Sequence, residues 1–266
     1  MLILKKIMSV ILCIVLGAIL MVGCTKKASG SSSTLDKIKS KKVITIGVDD
    51  TYPPMEFKDS SNKLVGYDVD MAEAVAKKMG VKIKWVPTAW DGIFGALSSK
   101  RFDLIHSSVS ITDERKKTMI FSDPYITGGN SIFVKKGDTS IQSSDDLKGK
   151  IIGVQAGTTG EEVVSKMGTA KSVKKYQGMT EAFMDLLNGR TSAVVSDPMV
   201  GKYYAAKQPN KFETVKSTLN EEPIGVAFRK SDKSLRDAYN KAINDLKKDG
   251  TLSKISEKWF GEDIYK

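Results

Sequence analysis

Residues 101–125 read RFDLIHSSVSITDERKKTMIFSDPY and predict a short apolar strand, a turn of small hydroxyl residues and then a helix. Thr112 is the predicted N-cap of this helix, and Arg115 falls in its first turn. An anion bound at the turn would meet the hydroxyl groups of Ser108 and Ser110, free backbone N–H groups and a guanidinium. The pattern therefore indicates a carboxylate site. The alternative is a capped surface helix whose arginine pairs with a neighbouring acid or with solvent.

The N-terminal residues indicate export. Lys5 and Lys6 precede an uncharged apolar run over residues 7–22, which ends at Gly23 and Cys24. An apolar run of about 16 residues is short for a spanning helix, which needs about 20. The basic start, the apolar run and the small residue at the junction together predict a secretory signal peptide over residues 1–23.

Cys24 has a predicted role of its own. The residues Met-Val-Gly-Cys at 21–24 resemble a bacterial lipobox, in which the cysteine is lipidated and becomes the mature N-terminus. Cys13 lies in the signal segment, so the exported part has one cysteine and no internal disulfide. Ordinary secretion or an uncleaved anchor is the alternative. Residues 24–40 are interpreted as the lipidated cysteine and a flexible tether, because TKKASGSSST follows Cys24.

Composition excludes several classes of function. The chain has 266 residues and a formal net charge of +11, but its lysines are scattered among acids without an arginine-rich or aromatic-basic block. This distribution is typical of a solvated basic surface near an anionic membrane, and nucleic acid is not a predicted partner. Neither a Cys/His cluster nor a carboxylate set has metal-ligand spacing, so no metal or other cofactor is predicted. His106, the only histidine, lies on an apolar strand, which favours a buried role over catalysis.

Strands and helices alternate along the chain and predict two α/β units. In the first unit, strands over 43–48, 81–86 and 102–105 are separated by helices over 66–79 and 91–98. Alternation of this kind is typical of a mostly parallel sheet flanked by helices.

The second unit follows residue 125. Strands over 131–135, 150–154 and 191–196 alternate there with helical segments. The amphipathic C-terminal helix over 233–248 and a last short helix need a sheet to cover, and we expect them to return to the first unit.

Two further positions carry chemistry suited to a ligand. The Gly-Thr-Thr-Gly segment at 157–160 lies between a strand and a helix that begins with acids, where an anion would meet N-terminal amides. A plain capped turn is the alternative, and the segment has neither nucleotide-loop nor dinucleotide spacing. Asp197 follows the strand over 192–196, where ligands of open α/β sheets gather. It could receive an ammonium group or form an Asx turn before Pro198.

Three aromatic residues lie at the ends of elements rather than inside periodic runs: Tyr52, Phe57 and Trp90. Such side chains can line a ligand-binding pocket, and packing in the hydrophobic core is the alternative.

The chain is similar to the polar amino-acid family of extracellular solute-binding proteins, the receptors of ABC importers. The similarity covers residues 41–266, and its landmarks in order are GYDVDM (66–71), SSVSITDER (107–115), FSDPY (121–125), GTT (157–159) and WFG (259–261). The resemblance implies an α/β, two-lobed periplasmic-binding-protein-like fold, in which each lobe is an open, mostly parallel sheet flanked by helices. Two hinge crossings would join lobe 1, residues 41–126 plus 222–266, to lobe 2, residues 127–221.

The resemblance also implies a set of ligand-binding residues. Arg115 would clamp the α-carboxylate of an amino acid, with Ser110 and Thr159 as donors. Asp197 and the backbone of Ser108 would receive the α-ammonium group. The ligand side chain would lie near Asp49, Tyr52, Phe57, Trp90, Gln155 and Ser196. Some relatives have a longer polar side chain at position 160, where this chain has glycine.

The implied function is high-affinity extracellular binding of a free polar L-amino acid and its delivery to the membrane subunits of an ABC importer by cleft closure. Asp49 favours arginine, lysine or histidine, with glutamine and cystine as alternatives. We expect a monomer, lipid-anchored on the extracellular face of the cell membrane, without enzymatic activity. The alternatives are an exported enzyme resembling cyclohexadienyl dehydratase and a sensing module for a signalling partner. The absence of a credible general base argues against the enzyme.

Overall fold

The computed structural model describes residues 32–266, and the predicted signal peptide and Cys24 lie outside the described residues. The first described helix, α1, spans Thr34–Lys41 and begins with a capping box between Ser33 and Asp36. Ile38 on this helix is buried in the hydrophobic core. The tether prediction therefore does not hold for residues 34–40, because the cap and the buried isoleucine stabilise a helix there.

A group of strands and helices follows α1 and forms, together with the two C-terminal helices, what we call the first lobe. Its elements up to residue 121 are β1 (Val43–Val48), β2 (Thr51–Tyr52), β3 (Glu56–Lys58), β4 (Leu64–Val65), α2 (Tyr67–Met79), β5 (Lys82–Pro87), α3 (Trp90–Ser98), β6 (Leu104–Ser110), α4 (Asp113–Lys116) and β7 (Met119–Phe121). Strand β1 pairs in parallel with β5 and β6, whereas β2, β3 and β4 form a small antiparallel sheet.

The remaining elements include what we call the second lobe, made of β9 to β11 and α5 to α7. In chain order they are β8 (Ile126–Lys135), a 3₁₀ turn (Asp145–Leu147), β9 (Ile151–Gln155), α5 (Thr159–Met167), β10 (Ser172–Tyr176), α6 (Met179–Leu187), β11 (Ala193–Ser196), α7 (Pro198–Lys207), β12 (Phe212–Arg229), α8 (Lys233–Lys248) and α9 (Thr251–Phe260). Strand β9 pairs in parallel with β10 and β11.

Strands β8 and β12 are the two crossings between the lobes. The main sheet has the order β10-β9-β11-β8-β12-β6-β1-β5, and β7 pairs with β12. Strand β12 pairs antiparallel with β8 from Phe212 to Ile224 and then with β6 and β7 from Ile224 to Arg229. One long strand therefore belongs to both lobes, and its register shifts allow it to bend between them.

Hydrophobic packing holds the C-terminal helices against the first lobe. Leu235 and Tyr239 of α8 and Leu252 of α9 share a buried cluster with Ile44 and Met71. Separate clusters lie under the second lobe, on either side of β8 and β11. None of the helices within residues 32–266 combines the length and the apolar character needed to cross a membrane.

Candidate ligand-binding cavity

A polar cavity lies between the lobes, at the carboxyl ends of β1, β6, β9 and β11. Ligands of open α/β sheets collect at such ends. Nine of the ten predicted ligand-binding residues line the cavity, namely Asp49, Tyr52, Trp90, Ser108, Ser110, Arg115, Gln155, Thr159 and Asp197. Ser196, expected nearby, lines it as well.

Phe57 is the predicted residue that the structure does not bring to the cavity. Its ring centroid lies 5.5 Å from that of Tyr203 and 6.0 Å from that of Trp259, in a separate groove. Side chains alternate along β3, so Phe57 and its neighbour Glu56 point to opposite faces. Glu56, which the sequence did not indicate, lines the cavity instead.

Arg115 is buried in the cavity wall, so the surface-helix alternative does not hold. Thr112 caps α4 by accepting from the Arg115 backbone N–H at 3.2 Å, and Arg115 Nη1 donates to the Ser110 carbonyl at 3.0 Å. The guanidinium lies over the rings of Phe94 and Trp90, 4.8 and 5.6 Å from their centroids. Burial lowers the pKa of Arg115, and the charge of Glu222 partly offsets that effect.

The guanidinium has no carboxylate partner within the described part of the chain. Arginine ion pairs among residues 32–266 involve Arg190, Arg229 and Arg236, and none involves Arg115. A buried cation without a counter-ion is costly, and an anion placed against this guanidinium would offset that cost.

Two buried carboxylates lie in the same cavity. Asp49 accepts from the Thr51 hydroxyl at 2.7 Å and from Gln155 Nε2 at 2.5 Å. Asp197 accepts from the backbone N–H groups of Gly129 at 3.2 Å and Met199 at 2.8 Å. Burial raises the pKa of each of these two carboxyl groups to about 6.

Asp197 caps α7 and also lines the cavity, so its role as a cap leaves it at the candidate site. Glycines on β8 make room for it. A Cβ atom at Gly128 would lie 2.1 Å from Asp197 Oδ2. Gly129, which donates to the carboxylate, has a φ of +135° that other residues rarely adopt.

Thr159 begins α5, and its hydroxyl is engaged within the protein. It donates to Glu222 Oε2 at 2.8 Å and accepts from Asn130 Nδ2 at 3.2 Å. Asn220 closes the ring by accepting from Asn130 at 2.8 Å and donating to Glu222 Oε1 at 2.8 Å. These four side chains, which we call the hinge ring, join β8, β12 and α5. The backbone N–H of Thr159 lies at a helix start, where N–H groups have no partner within the helix.

Gly160 cannot be replaced by a longer side chain without a shift in the hinge ring. A Cβ atom there would lie 2.9 Å from Asn130 Oδ1. The space that a longer side chain would use is occupied by Asn130.

Direct contacts cross the cleft beside the cavity, so the structure is a closed form. Gln155 of the second lobe donates to Asp49 of the first. Trp90 Nε1 donates to the Gly157 carbonyl at 3.0 Å. A third contact runs from Gln177 Nε2 to Asp91 Oδ2 at 3.3 Å.

His106 is buried behind the cavity and does not line it. Its Nδ1 lies 2.8 Å from the Tyr239 hydroxyl, and burial lowers its pKa. This agrees with the buried role favoured from the sequence. Within residues 32–266, no group of three or more His, Cys, Asp or Glu side chains has an arrangement that could hold a metal ion.

Two α/β lobes, two crossing strands and a buried polar cavity at the strand ends define a two-lobed solute-binding protein. The family model of bacterial extracellular solute-binding proteins, family 3, matches residues 44–262. The chain belongs to this family, which confirms the family and the fold class predicted from the sequence.

Individual relatives carry names that refer to several amino acids. The L-cystine-binding protein TcyJ of Escherichia coli is 37% identical over 253 residues, which are 95% of this chain and 95% of the relative. A variant of ArgBP from T. maritima is 39% identical with a TM-score of 0.81, over 86% of this chain and 99% of that one. A substrate-binding protein of an ABC uptake transporter from Streptococcus pneumoniae, solved with bound histidine, is 33% identical with a TM-score of 0.83. The match covers 88% of this chain and 98% of that one.

Proposed function

We propose that the protein binds a free polar L-amino acid outside the cell and delivers it to an ABC importer in the closed form. The observation that carries this proposal is the presence, in one cavity, of the buried Arg115, which has no carboxylate partner among residues 32–266, and the buried Asp197. A zwitterion offers a carboxylate to the first group and an ammonium to the second. The names of the relatives, which refer to cystine, arginine and histidine, support an amino acid as the ligand.

The carboxylate end of the ligand is assigned to three groups. Arg115 supplies the charge, Ser110 a hydroxyl and Thr159 the backbone N–H at the start of α5. The ammonium end is assigned to Asp197 and to the Ser108 carbonyl. Both ends would be desolvated in the closed cleft, where such contacts are stronger than in water.

The charge balance of the cavity favours a ligand with a cationic side chain. Two charged acids line it, Asp49 and Asp197, besides Glu56, whose pKa burial raises well above its usual range, and Arg115 is the one cation among the lining residues that the structure describes. A ligand with one carboxylate and two cationic groups offsets this excess of acids. Arginine, lysine and histidine fit this description, with Asp49 as the partner of the side chain.

Cystine and glutamine fit less well. Cystine carries a second carboxylate, which would have no second cation among the described lining residues. Glutamine would leave the buried Asp49 without a charged partner. The relative named for cystine nevertheless makes cystine a necessary member of the ligand panel.

We propose no catalytic step. The buried acids Asp49 and Asp197 are each held by donors from the protein itself, as suits groups that anchor a ligand rather than move a proton. We further propose that Cys24 carries a lipid that anchors the monomeric protein to the extracellular face of the cell membrane.

Calorimetry tests the proposal. The full chain, purified in detergent, is unfolded and refolded to remove carried-over ligand and then titrated with arginine, lysine, histidine, glutamine and cystine. We expect arginine, lysine and histidine to bind more tightly than glutamine and cystine. Binding of cystine alone would overturn the charge-balance argument, and binding of none of the five would overturn the receptor assignment.

A further inference from the structure

Ser108 adopts a backbone conformation that serine rarely takes. Its φ is +46°, in the left-handed region, and it lies in β6 where the pairing with β12 shifts register between Gly225 and Ala227. Such a conformation is strained for a non-glycine residue, so the surrounding structure must stabilise it. Bulges of this kind redirect the side chains and carbonyl groups of a strand.

Asp68, in the first turn of α2, binds Ser108 at two atoms. Its Oδ2 accepts from the Ser108 backbone N–H at 2.6 Å and from the Ser108 hydroxyl at 3.1 Å. The Tyr125 hydroxyl donates to the same oxygen at 2.8 Å. Asp68 has no solvent exposure and does not line the cavity, whereas Ser108 does.

Two further titratable groups face the carboxylate of Asp68: His106, whose Nε2 lies 3.9 Å from Oδ1, and Glu56. Burial raises the pKa of Glu56 well above its usual range, and the charge of Asp68 raises it further. Both effects favour the neutral form of Glu56 beside the Asp68 carboxylate. The Asp68 carboxylate acts as the acceptor in each of its hydrogen bonds with Ser108 and Tyr125.

We propose that Asp68 is a positioning residue for ligand binding, which holds Ser108 in its left-handed conformation and thereby sets the cavity wall over residues 107–110. This inference rests on the proposed function, because that wall is the one assigned to the ammonium end of the ligand. An asparagine at position 68 would place an NH₂ group against one of the donors and would weaken the hold on Ser108.

A double-substitution cycle separates positioning from a general contribution to stability. Glycine adopts positive φ without strain, so Ser108→Gly makes the conformation independent of Asp68. We expect Asp68→Asn to weaken arginine binding about tenfold when residue 108 is serine, and less than about threefold when it is glycine. Binding is measured by calorimetry, and thermal melting of each ligand-free variant reports stability separately.

A second pair of variants covers the case in which Asp68→Asn does not fold. Tyr125→Phe removes one donor to Asp68, and Tyr67→Phe is its matched control, because the Tyr67 hydroxyl contacts Tyr265 instead. We expect Tyr125→Phe to weaken binding by roughly twofold to fivefold, because it removes one of the donors that hold the Asp68 carboxylate, and Tyr67→Phe to leave binding unchanged.

The outcomes distinguish the two proposals. Equal losses from Asp68→Asn in the serine and glycine backgrounds, no loss in either, or equal effects of the two tyrosine substitutions would overturn the positioning role. Absence of binding by the unsubstituted protein would overturn the proposed function, and the positioning role with it.

Discussion

Gln155 donates its side-chain amide to Asp49 across the cleft, with 2.5 Å between Nε2 and Oδ2. The same nitrogen donates to the Gln177 carbonyl at 2.9 Å, so the amide is held from the second lobe while it contacts a buried acid of the first. A neutral donor thus closes the end of the cavity at Asp49, and this contact does not neutralise the charge of the Asp49 carboxylate.

Asp49→Asn should change the preference among ligands. Loss of the buried charge removes the partner of a cationic side chain, which is worth roughly 2–5 kcal/mol for a desolvated pair. We expect a loss of about tenfold or more for arginine and lysine and a much smaller change for glutamine, measured by calorimetry. Asp50→Asn is the matched control, because Asp50 pairs with Lys58 outside the cavity. Equal losses for arginine and glutamine would contradict the role of Asp49.

The affinity for a basic ligand should depend on pH. Burial raises the pKa of Asp49 and of Asp197 to about 6 in the ligand-free protein, and a bound cation favours their ionised forms. Binding therefore releases protons near pH 6. We expect the affinity to be constant above about pH 7 and to fall below pH 6, by up to tenfold per pH unit for each linked group. Titrations at pH 6 in two buffers of different ionisation enthalpy should show proton release, and proton uptake would contradict the prediction.

The same two groups affect stability without ligand, with the opposite sign. Their pKa in the folded protein lies above the ordinary value of 3.8, so between about pH 4 and pH 6 the folded protein binds more protons than the unfolded chain. The free energy of unfolding should decrease as the pH rises through this window and level off above it. Asp197→Asn should flatten that decrease in denaturant titrations, whereas Asp50→Asn should not.

The hinge ring should matter more for stability than for binding. Thr159→Val removes the hydroxyl that donates to Glu222 and leaves a buried carboxylate oxygen without that partner, at a cost of about 1–3 kcal/mol in the free energy of unfolding. Ligand affinity should fall less than with Arg115→Ala, because the backbone N–H of residue 159 remains. The exposed Thr169→Val is the control for denaturant unfolding. A large loss of affinity with unchanged stability would show that the hydroxyl itself binds the ligand.

Sequence patterns predicted much of this molecule because its landmarks are local. A strand that ends in small hydroxyl residues before a capped turn located Arg115, and a Gly-Thr-Thr-Gly segment located the start of α5. The position of Asp197 at a strand end was sufficient to predict its approach to the cavity.

The features that the sequence did not indicate depend on side-chain direction or on distant pairing. Strand β3 has only three residues, too few for an alternation that would separate Glu56 from Phe57. The hinge ring joins Asn130, Thr159 and Glu222, which are far apart in the chain and meet only because β8 pairs with β12 beside α5. The left-handed Ser108 likewise depends on Asp68, forty residues earlier.

The affinity of the Arg115→Ala variant for arginine, measured by calorimetry on refolded protein, tests the central assignment most directly. Loss of the desolvated partner of the ligand carboxylate should cost roughly 2–5 kcal/mol, or at least about thirtyfold in Kd. The ligand-free melting temperature should change little, since removal of a buried charge with no ion-pair partner in residues 32–266 offsets the loss of its contacts with Ser110 and Phe94. Substitution of the exposed Arg101 by alanine should leave the affinity unchanged. An Arg115→Ala variant that binds arginine within about twofold of the unsubstituted protein would contradict the account.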